Sequence, residues 1–248
     1  MDLPRTAAVA ARLVVVAASP STNAQLRASA EGAPHLTVLL TDHQTAGRGR
    51  LDRTWVTPRG SALAISVLLR DLPAPAARGW IPLVAGLAMA DAVAAQLSEH
   101  DVGVKWPNDV LVDGRKICGI LAEATQDAVI VGSGVNTVMT AEQLPVATAT
   151  SFAALGVTAD DDRLVADYVS ALDAWIAALA TEQSADRVRA AVTARCLTIG
   201  RQVRVELPAG GELLGVATGL DADGRLVVVS DGAEHPVSAG DVVHVRAV

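Results

Sequence analysis

Three arginines, two glycines and an indole fall within one twelve-residue stretch, QTAGRGRLDRTW over residues 44–55. Gly47 and Gly49 carry no Cβ and let backbone N–H groups come close to a ligand. Arg48, Arg50 and Arg53 hold planar, permanently charged forks that match phosphate or carboxylate oxygens. With Gln44 at one end and Trp55 at the other, the stretch reads as a loop built for an anion. Taken alone, it reads first as a solvated basic turn. A second concentration of chemistry is KWPND, residues 105–109. Of the 20 basic residues 18 are arginine, and the two lysines, Lys105 and Lys116, stand close together. An ammonium is a compact point charge where a guanidinium is a fork, so a lysine kept beside Trp106 points to a task for the ammonium at position 105. Asn108 and Asp109 read first as turn caps after Pro107. The third concentration is SPSTN, residues 19–23, where a strand gives way to a helix. Helix capping accounts for Ser21 or Thr22, and such a corner also presents Ser21, Thr22 and Asn23 to a small ligand.

Composition narrows the chemistry. The chain has 248 residues, 51% of them hydrophobic, enough for one large domain or one large and one small. A net charge of -7 argues against a nucleic-acid binder, which needs a basic face. Cys118 and Cys196 have no CxxC or Cys/His spacing, so reduced, buried thiols are expected and no metal site. The five histidines are scattered and read as surface or satisfied core residues. Neither a signal peptide nor an uncharged apolar run long enough to span a bilayer is found, so no membrane partner and a cytoplasmic address are expected. VGSGVNT, residues 131–137, has Thr137 where a dinucleotide fingerprint needs its third glycine, and no lysine follows a glycine as in a phosphate-binding P-loop.

The elements that must position these residues follow from hydrophobic periodicity. Residues 12–17, 36–41 and 61–69 read as strands, with a short helix over 22–30. Apolar residues at helical spacing predict a core helix over 80–97. A meander of strands over 102–106, 109–112, 116–123 and 128–135 turns at Asp113-Gly114. Residues 140–155 read as a connector or as a cover for a ligand. Helices are expected over 160–180 and 184–195, packed through Tyr168 and Trp175. From residue 198 four short strands, 201–207, 213–220, 225–229 and 242–246, with turns at 209–211, 223–224 and 240–241, predict a small barrel. The fold class is therefore α+β: a mixed or antiparallel sheet packed with helices over 1–197, then a small β-barrel over 198–248.

Together these motifs resemble the biotin–protein ligases. QTAGRGRLDRTW stands where that family has its Gly/Arg loop, KWPNDVLV and KICGILAE where it has central strands, and VGSGVNT where it has a glycine- and asparagine-bearing strand end. The motifs run in the family's order across residues 20–137, and the terminal barrel is of SH3-like type. Leu51-Asp52 departs from the Arg-Gly that many members carry there. The resemblance implies a monofunctional ligase without an N-terminal DNA-binding domain. Biotin would be lined by Ser21, Thr22, Asn23, Gln44, Arg48, Gly49, Arg50, Trp55, Lys105 and Gly119. The nucleotide would meet Arg50, Arg53, Lys105 and Asn136, with Arg50 and Lys105 catalytic and Trp106 shaping an apolar wall.

The resemblance further implies ATP, biotin and Mg2+, and a biotin carboxyl carrier domain of acetyl-CoA carboxylase as partner. The chain would act as a monomer or weak homodimer and form biotinoyl-5′-AMP, then a carrier lysine amide. No nucleophile of its own is needed, in keeping with the lack of a Ser–His or Cys–His set. Two alternatives are a lipoate ligase, whose arginine-led glycine triplet and histidine are missing here, and a non-catalytic biotin sensor. Biotin at 100 times its Kd should add about 2.7 kcal/mol of stability, raising Tm by about 2–4 °C for each kcal/mol. The same concentration of lipoate should leave Tm unchanged in a thermal-shift assay.

Overall fold

The computed structural model describes residues 1–50, 53–55, 57–207, 210–238 and 240–245. Leu51-Asp52, Ala209 of one expected turn and Arg246 at the end of the last expected strand lie outside the described residues. The first half of the chain runs α1 (Pro4–Val9), β1 (Arg12–Val15), α2 (Thr22–Ala28), β2 (Thr37–Thr41), β3 (Gly47–Arg48), β4 (Thr54–Trp55) and β5 (Ala62–Leu69). Then come α3 (Ile81–Ala94), β6 (Val102–Lys105), β7 (Asp109–Val112), β8 (Arg115–Ala124), β9 (Val129–Asn136), α4 (Asp161–Leu179) and α5 (Glu182–Arg195).

Seven strands form one sheet in the order β1-β2-β5-β9-β8-β7-β6. The β1–β2 pair is parallel and the others are antiparallel, so the sheet is mixed. β2 and β5 are buried at every residue, as their unbroken apolar runs require of strands covered on both faces. On one face α3 packs on β6, β7 and β8 and against α4. On the other, α2 lays Leu26 on Leu39, Leu68 and Ile130. The stretch Pro75–Ala94 is long and apolar enough to cross a membrane by length and composition, and it is largely buried here because α3 is the core helix. Both Asp113 and Gly114 take positive φ, 49° and 75°, which a type I′ hairpin turn demands.

The small antiparallel sheet has five strands: β10 (Gln202–Glu206), β11 (Glu212–Leu220), β12 (Leu226–Ser230), β13 (Ala233–Val237) and β14 (Asp241–His244). Their order is β13-β12-β11-β10-β14. β13 is absent from the four-strand expectation because Pro236 interrupts its pattern. At the edge of the sheet, one face of its backbone has no ladder to complete, and proline is tolerated. Two indoles dock this sheet onto the large one. Trp106 Nε1 donates to Gly224 O at 3.0 Å, its backbone N–H donates to Thr198 Oγ1 at 3.0 Å, and Trp80 Nε1 donates to Ala222 O at 2.9 Å. Trp106 was expected to shape an apolar pocket wall; here the polar handle of each indole joins the two sheets.

At the start of α4 the Asp160 side chain accepts from the Arg163 N–H as the N-cap. Asp161 follows with Oδ1 buried and without a hydrogen-bond partner among the described residues. Burial first, then the charges of Asp160 and Asp42, push its carboxyl from 3.8 up to about 6, outweighing the pull of the helix N-terminus on an anion. A carboxyl raised in the folded state stabilises the fold below its unfolded value and loses that contribution as pH rises through the folded one. Asp161→Asn should therefore raise Tm at pH 7, with the gain shrinking as the pH is lowered toward 4. A gain of equal size at both ends of a calorimetric pH series would contradict this account.

Candidate functional site

One rung of the large sheet has almost no side chains. Across it, Ala64 of β5 pairs with Gly134 of β9, Gly134 with Gly119 of β8, and Gly119 with Asp109 of β7. One rung on, Ser66 pairs with Gly132 and Gly132 with Leu121. A Cβ on Gly134 would come within 2.6 Å of the Trp55 indole, and one on Gly119 within 3.0 Å of Lys116 Nζ. A Cβ on Gly132 would collide with the Asn23 amide. Spaced two apart on β9, Gly132 and Gly134 make room for Asn23 and Trp55, and Gly119 on β8 makes room for Lys116.

The Gly/Arg loop and the Ser21 corner are bound to each other above this rung. Ser19 N–H donates to His43 O and Thr45 N–H donates to Ser19 O, both at 3.0 Å. The Gln44 Oε1 accepts from the Thr22 N–H at 2.9 Å and from the Thr22 hydroxyl at 3.1 Å. Ser21 caps α2 by accepting from the Ala24 N–H at 3.4 Å and also lines the cleft. The loop closes as the β3–β4 hairpin, with Gly47 opposite Trp55 and Arg48 opposite Thr54. The Gly49 N–H donates to Arg53 O at 2.6 Å. Arg50 Nη1 donates to Asn108 Oδ1 at 3.0 Å, while Asn108 Nδ2 donates to Ile120 O at 2.7 Å.

The lysine in the cleft is Lys116. Its Nζ lies 2.6 Å from Asp109 Oδ1 and 5.8 Å from the centre of a Trp55 ring. Lys105 is not brought there. It ends the edge strand β6, where the neighbouring face is filled: a Cβ on Gly103 would meet Arg195 O and Leu197. Its charge acts instead on His244 of the small sheet. Burial first, then Lys105 and Arg201, lower that imidazole from 6.5 to about 4. Lys116 escapes sequence reasoning because strict alternation from Cys118 and Ile120 would turn it into the core. An irregularity between Val110 and Leu111 pairs Val110 with Cys118 but Leu111 with Lys116, and so turns Lys116 to the glycine face.

Ser21, Thr22, Asn23, Gln44, Arg48 and Gly49 line one cleft of about 160 Å³, together with Arg50, Arg53, Trp55 and Gly119. It continues into a larger groove of about 900 Å³ that shares Arg48, Arg50, Arg53 and Asn108 and reaches Trp106, Gly224 and Arg225 at the small sheet. Asn136 is not in either. It is buried at the end of β9, its Nδ2 donating to Thr150 O at 2.9 Å, and its Oδ1 has no partner among the described residues. Asn108, Asp109, Lys116 and Glu123 are the residues that sequence reasoning passed over. Glycine at alternate positions of β9, with Gly119 on the adjoining β8, was the signal that could have located their face.

Neither cavity is lined by histidine or cysteine, and among the described residues no group of three or more His, Cys, Asp or Glu could hold a metal. Cys118 and Cys196 are buried free thiols, and burial drives the Cys118 thiol far up. The arrangement is thus suited to charge neutralisation and orientation of anions.

A mixed sheet with an arginine loop over a glycine rung, followed by a small antiparallel sheet, defines a class, and the chain belongs to it: residues 14–136 match the Biotin/lipoate A/B protein ligase family. Residues 198–245 match the Biotin protein ligase C terminal domain. Within the family the chain stands with the biotin–protein ligases. It is 42% identical over 241 residues to the biotin–(acetyl-CoA-carboxylase) ligase of Mycobacterium tuberculosis, covering 95% of this chain and 90% of that one. It is 30% identical over 242 residues to the ligase of the same name from Paracoccus denitrificans, covering 92% and 98%. The structure of the biotin protein ligase from Aquifex aeolicus in complex with biotin and ATP matches with a TM-score of 0.80 at 25% identity, covering 96% of this chain and all of that one.

The bare rung makes a direct prediction. In Gly134→Ala the new methyl group would sit 2.6 Å from the Trp55 ring, so the indole must leave the sheet. Overpacking of this kind costs on the order of 1–3 kcal/mol, and scanning calorimetry should record a Tm several degrees lower. An unchanged Tm would mean that Trp55 does not rest on the glycine face.

Proposed function

We infer that this protein is an ATP-dependent biotin–protein ligase. Biotin and ATP would be joined as biotinoyl-5′-AMP with release of pyrophosphate, and the acyl group would then pass to a lysine of a biotin carboxyl carrier domain of an acyl-CoA carboxylase, a cytoplasmic reaction. The observation that carries this reading is the convergence of Arg48, Arg50, Arg53 and Lys116 with the Ser21–Asn23 corner on one uncovered rung of the sheet.

Two anions must be brought together before they can react. At 4 Å two unit charges repel by about 4 kcal/mol at an effective dielectric constant of 20. Fixed cations at the contact offset this repulsion and align a carboxylate oxygen of biotin on the α-phosphorus. Ser21, Thr22, Asn23 and Gln44 would surround the biotin head group, with Trp55 and Gly119 as its apolar wall. Arg48 and Gly49 would close over it. Arg50 and Arg53 would meet the phosphates. Lys116 takes over the bridging role first expected of Lys105: its bond to Asp109 holds the ammonium at the cleft, where an incoming carboxylate or phosphate oxygen can compete for it.

The family resemblance assigns Asn136 to the adenine, and its Oδ1 is a buried acceptor without a partner among the described residues. Magnesium, bound chiefly by ATP phosphates as is usual for that ion, fits a cleft with one lining carboxylate. Asp109 would hold it, and the ion would supply charge neutralisation for the leaving pyrophosphate. In the second half-reaction the carrier's amine attacks the acyl carbon and AMP departs. The larger groove, which opens beside the small sheet, gives that amine a route in.

Biotin-dependent ATP–pyrophosphate exchange tests the reading. The wild type should exchange. Lys116→Ala should lose about 10²-fold or more in rate, the scale of removing a preorganised charge contact, whereas Lys105→Ala should stay within a few-fold of wild type. No exchange by the wild type would end the proposal, and a larger loss at Lys105 than at Lys116 would reverse the assignment.

A further inference from the structure

Glu123 lies on β8, four residues beyond Gly119, and its side chain is 16% exposed. Four donor contacts converge on its carboxylate from three different parts of the chain. Arg48 Nη2, from the Gly/Arg loop, is 3.1 Å from Oε1 and 3.2 Å from Oε2. Arg27 Nη2, from the last turn of α2, is 2.9 Å from Oε1. Asn23 Nδ2, from the first turn of α2, is 2.8 Å from Oε2. The same Asn23 amide donates to Leu121 O at 3.1 Å and its Oδ1 accepts from Ser66 at 2.6 Å, so every polar atom of that side chain is engaged.

The loop needs an outside anchor. Its β3–β4 hairpin has two residues in each strand, and a two-stranded hairpin of that size is not stable alone. Arg48 is half exposed while Glu123 is not, so the pair can open without burying an unpaired guanidinium and closes onto a fixed acceptor. Two arginines share that acceptor. Without its charge Arg27 and Arg48 face each other unneutralised, and the loop is pushed from the sheet.

We propose that Glu123 is a positioning residue that latches the Gly/Arg loop through Arg48 and thereby sets how well the activated acyl-adenylate is kept from water. The proposal rests on the ligase reading above. The loss it guards against is hydrolysis, in which water adds to the acyl carbon, AMP leaves, and biotin is regenerated, so that one ATP is spent for each futile cycle.

The test uses the full chain with biotin, ATP and magnesium but no carrier. AMP formation measures leakage, and pyrophosphate exchange measures adenylate formation. Glu123→Gln should raise the leak-to-exchange ratio about tenfold, the scale of one charge-assisted hydrogen bond. Arg48→Gln should raise the same ratio, and the double variant should leak no more than the worse single one, because both changes open one latch. Additive effects, or a wild-type ratio in Glu123→Gln, would overturn the proposal. Hydrogen exchange at the Gly47–Arg50 amides of the ligand-free protein should be faster in both single variants. If Glu123→Gln does not fold, Arg48→Gln must still speed that exchange and raise the ratio, and failure on either count sinks the latch. Since amide exchange needs no substrate, a wild type that fails to adenylate biotin would remove the functional reading while the latch is still measured.

Discussion

The uncovered rung of the large sheet is the constraint on which the rest of the site depends. Gly119 and Gly134 are directly paired on adjacent strands, and Gly132 clears the next rung. Without Cβ atoms the sheet surface drops by the thickness of a side chain, and an indole, an ammonium stem and an amide can lie flat on it. The strands pay for this in flexibility, since glycine weakens a strand interior. That weakness is offset by cover on both faces: the Tyr168 hydroxyl of α4 meets Ser133 of β9 on one side, and α2 packs on β5 and β9 on the other.

Electrostatics follow from that geometry. The cations brought to the cleft are held by acceptors: Lys116 by Asp109, Arg48 by Glu123, Arg50 by Asn108. An arriving anion exchanges one partner for another and meets groups already oriented. The cost of gathering like charges is met when the chain folds, and the ligand then supplies the charge they lack. Preorganisation of this kind contributes most to a transition state in which charge moves between two anionic groups. It also explains why a chain with net charge -7 can hold a strongly basic cleft: the acids that balance it are part of its construction.

The small sheet bears on the same site. Trp106 and Trp80 donate their indole N–H groups to the turn at Ala222–Gly224, next to the groove that shares its arginines with the cleft. Pro107 and Asn108 follow Trp106 directly, so the docking of the small sheet and the support of Arg50 by Asn108 belong to one short segment. A disturbance at the interface has a short path to the reacting groups.

Much of this was legible in the amino-acid sequence because it depends on local periodicity and local chemistry. Unbroken apolar runs, an amphipathic α4, an Asp-Gly turn and a glycine-arginine stretch each fix their own conformation or charge, and the strands of the large sheet, its long helices and the anion loop follow from them. Pairing register between distant strands is another matter. Whether Lys105 or Lys116 faces the cleft turns on one irregularity in the β7–β8 ladder and on the chain at residues 195–197 that fills the face beside β6. Asn108, Asp109 and Glu123 look like turn and surface residues until folding sets them beside partners 58, 7 and 75 positions away. Sequence alone determined which groups were available and that they suit anions. Only the tertiary structure decided which of them meet, because a side chain's face on a strand reverses with every residue of register.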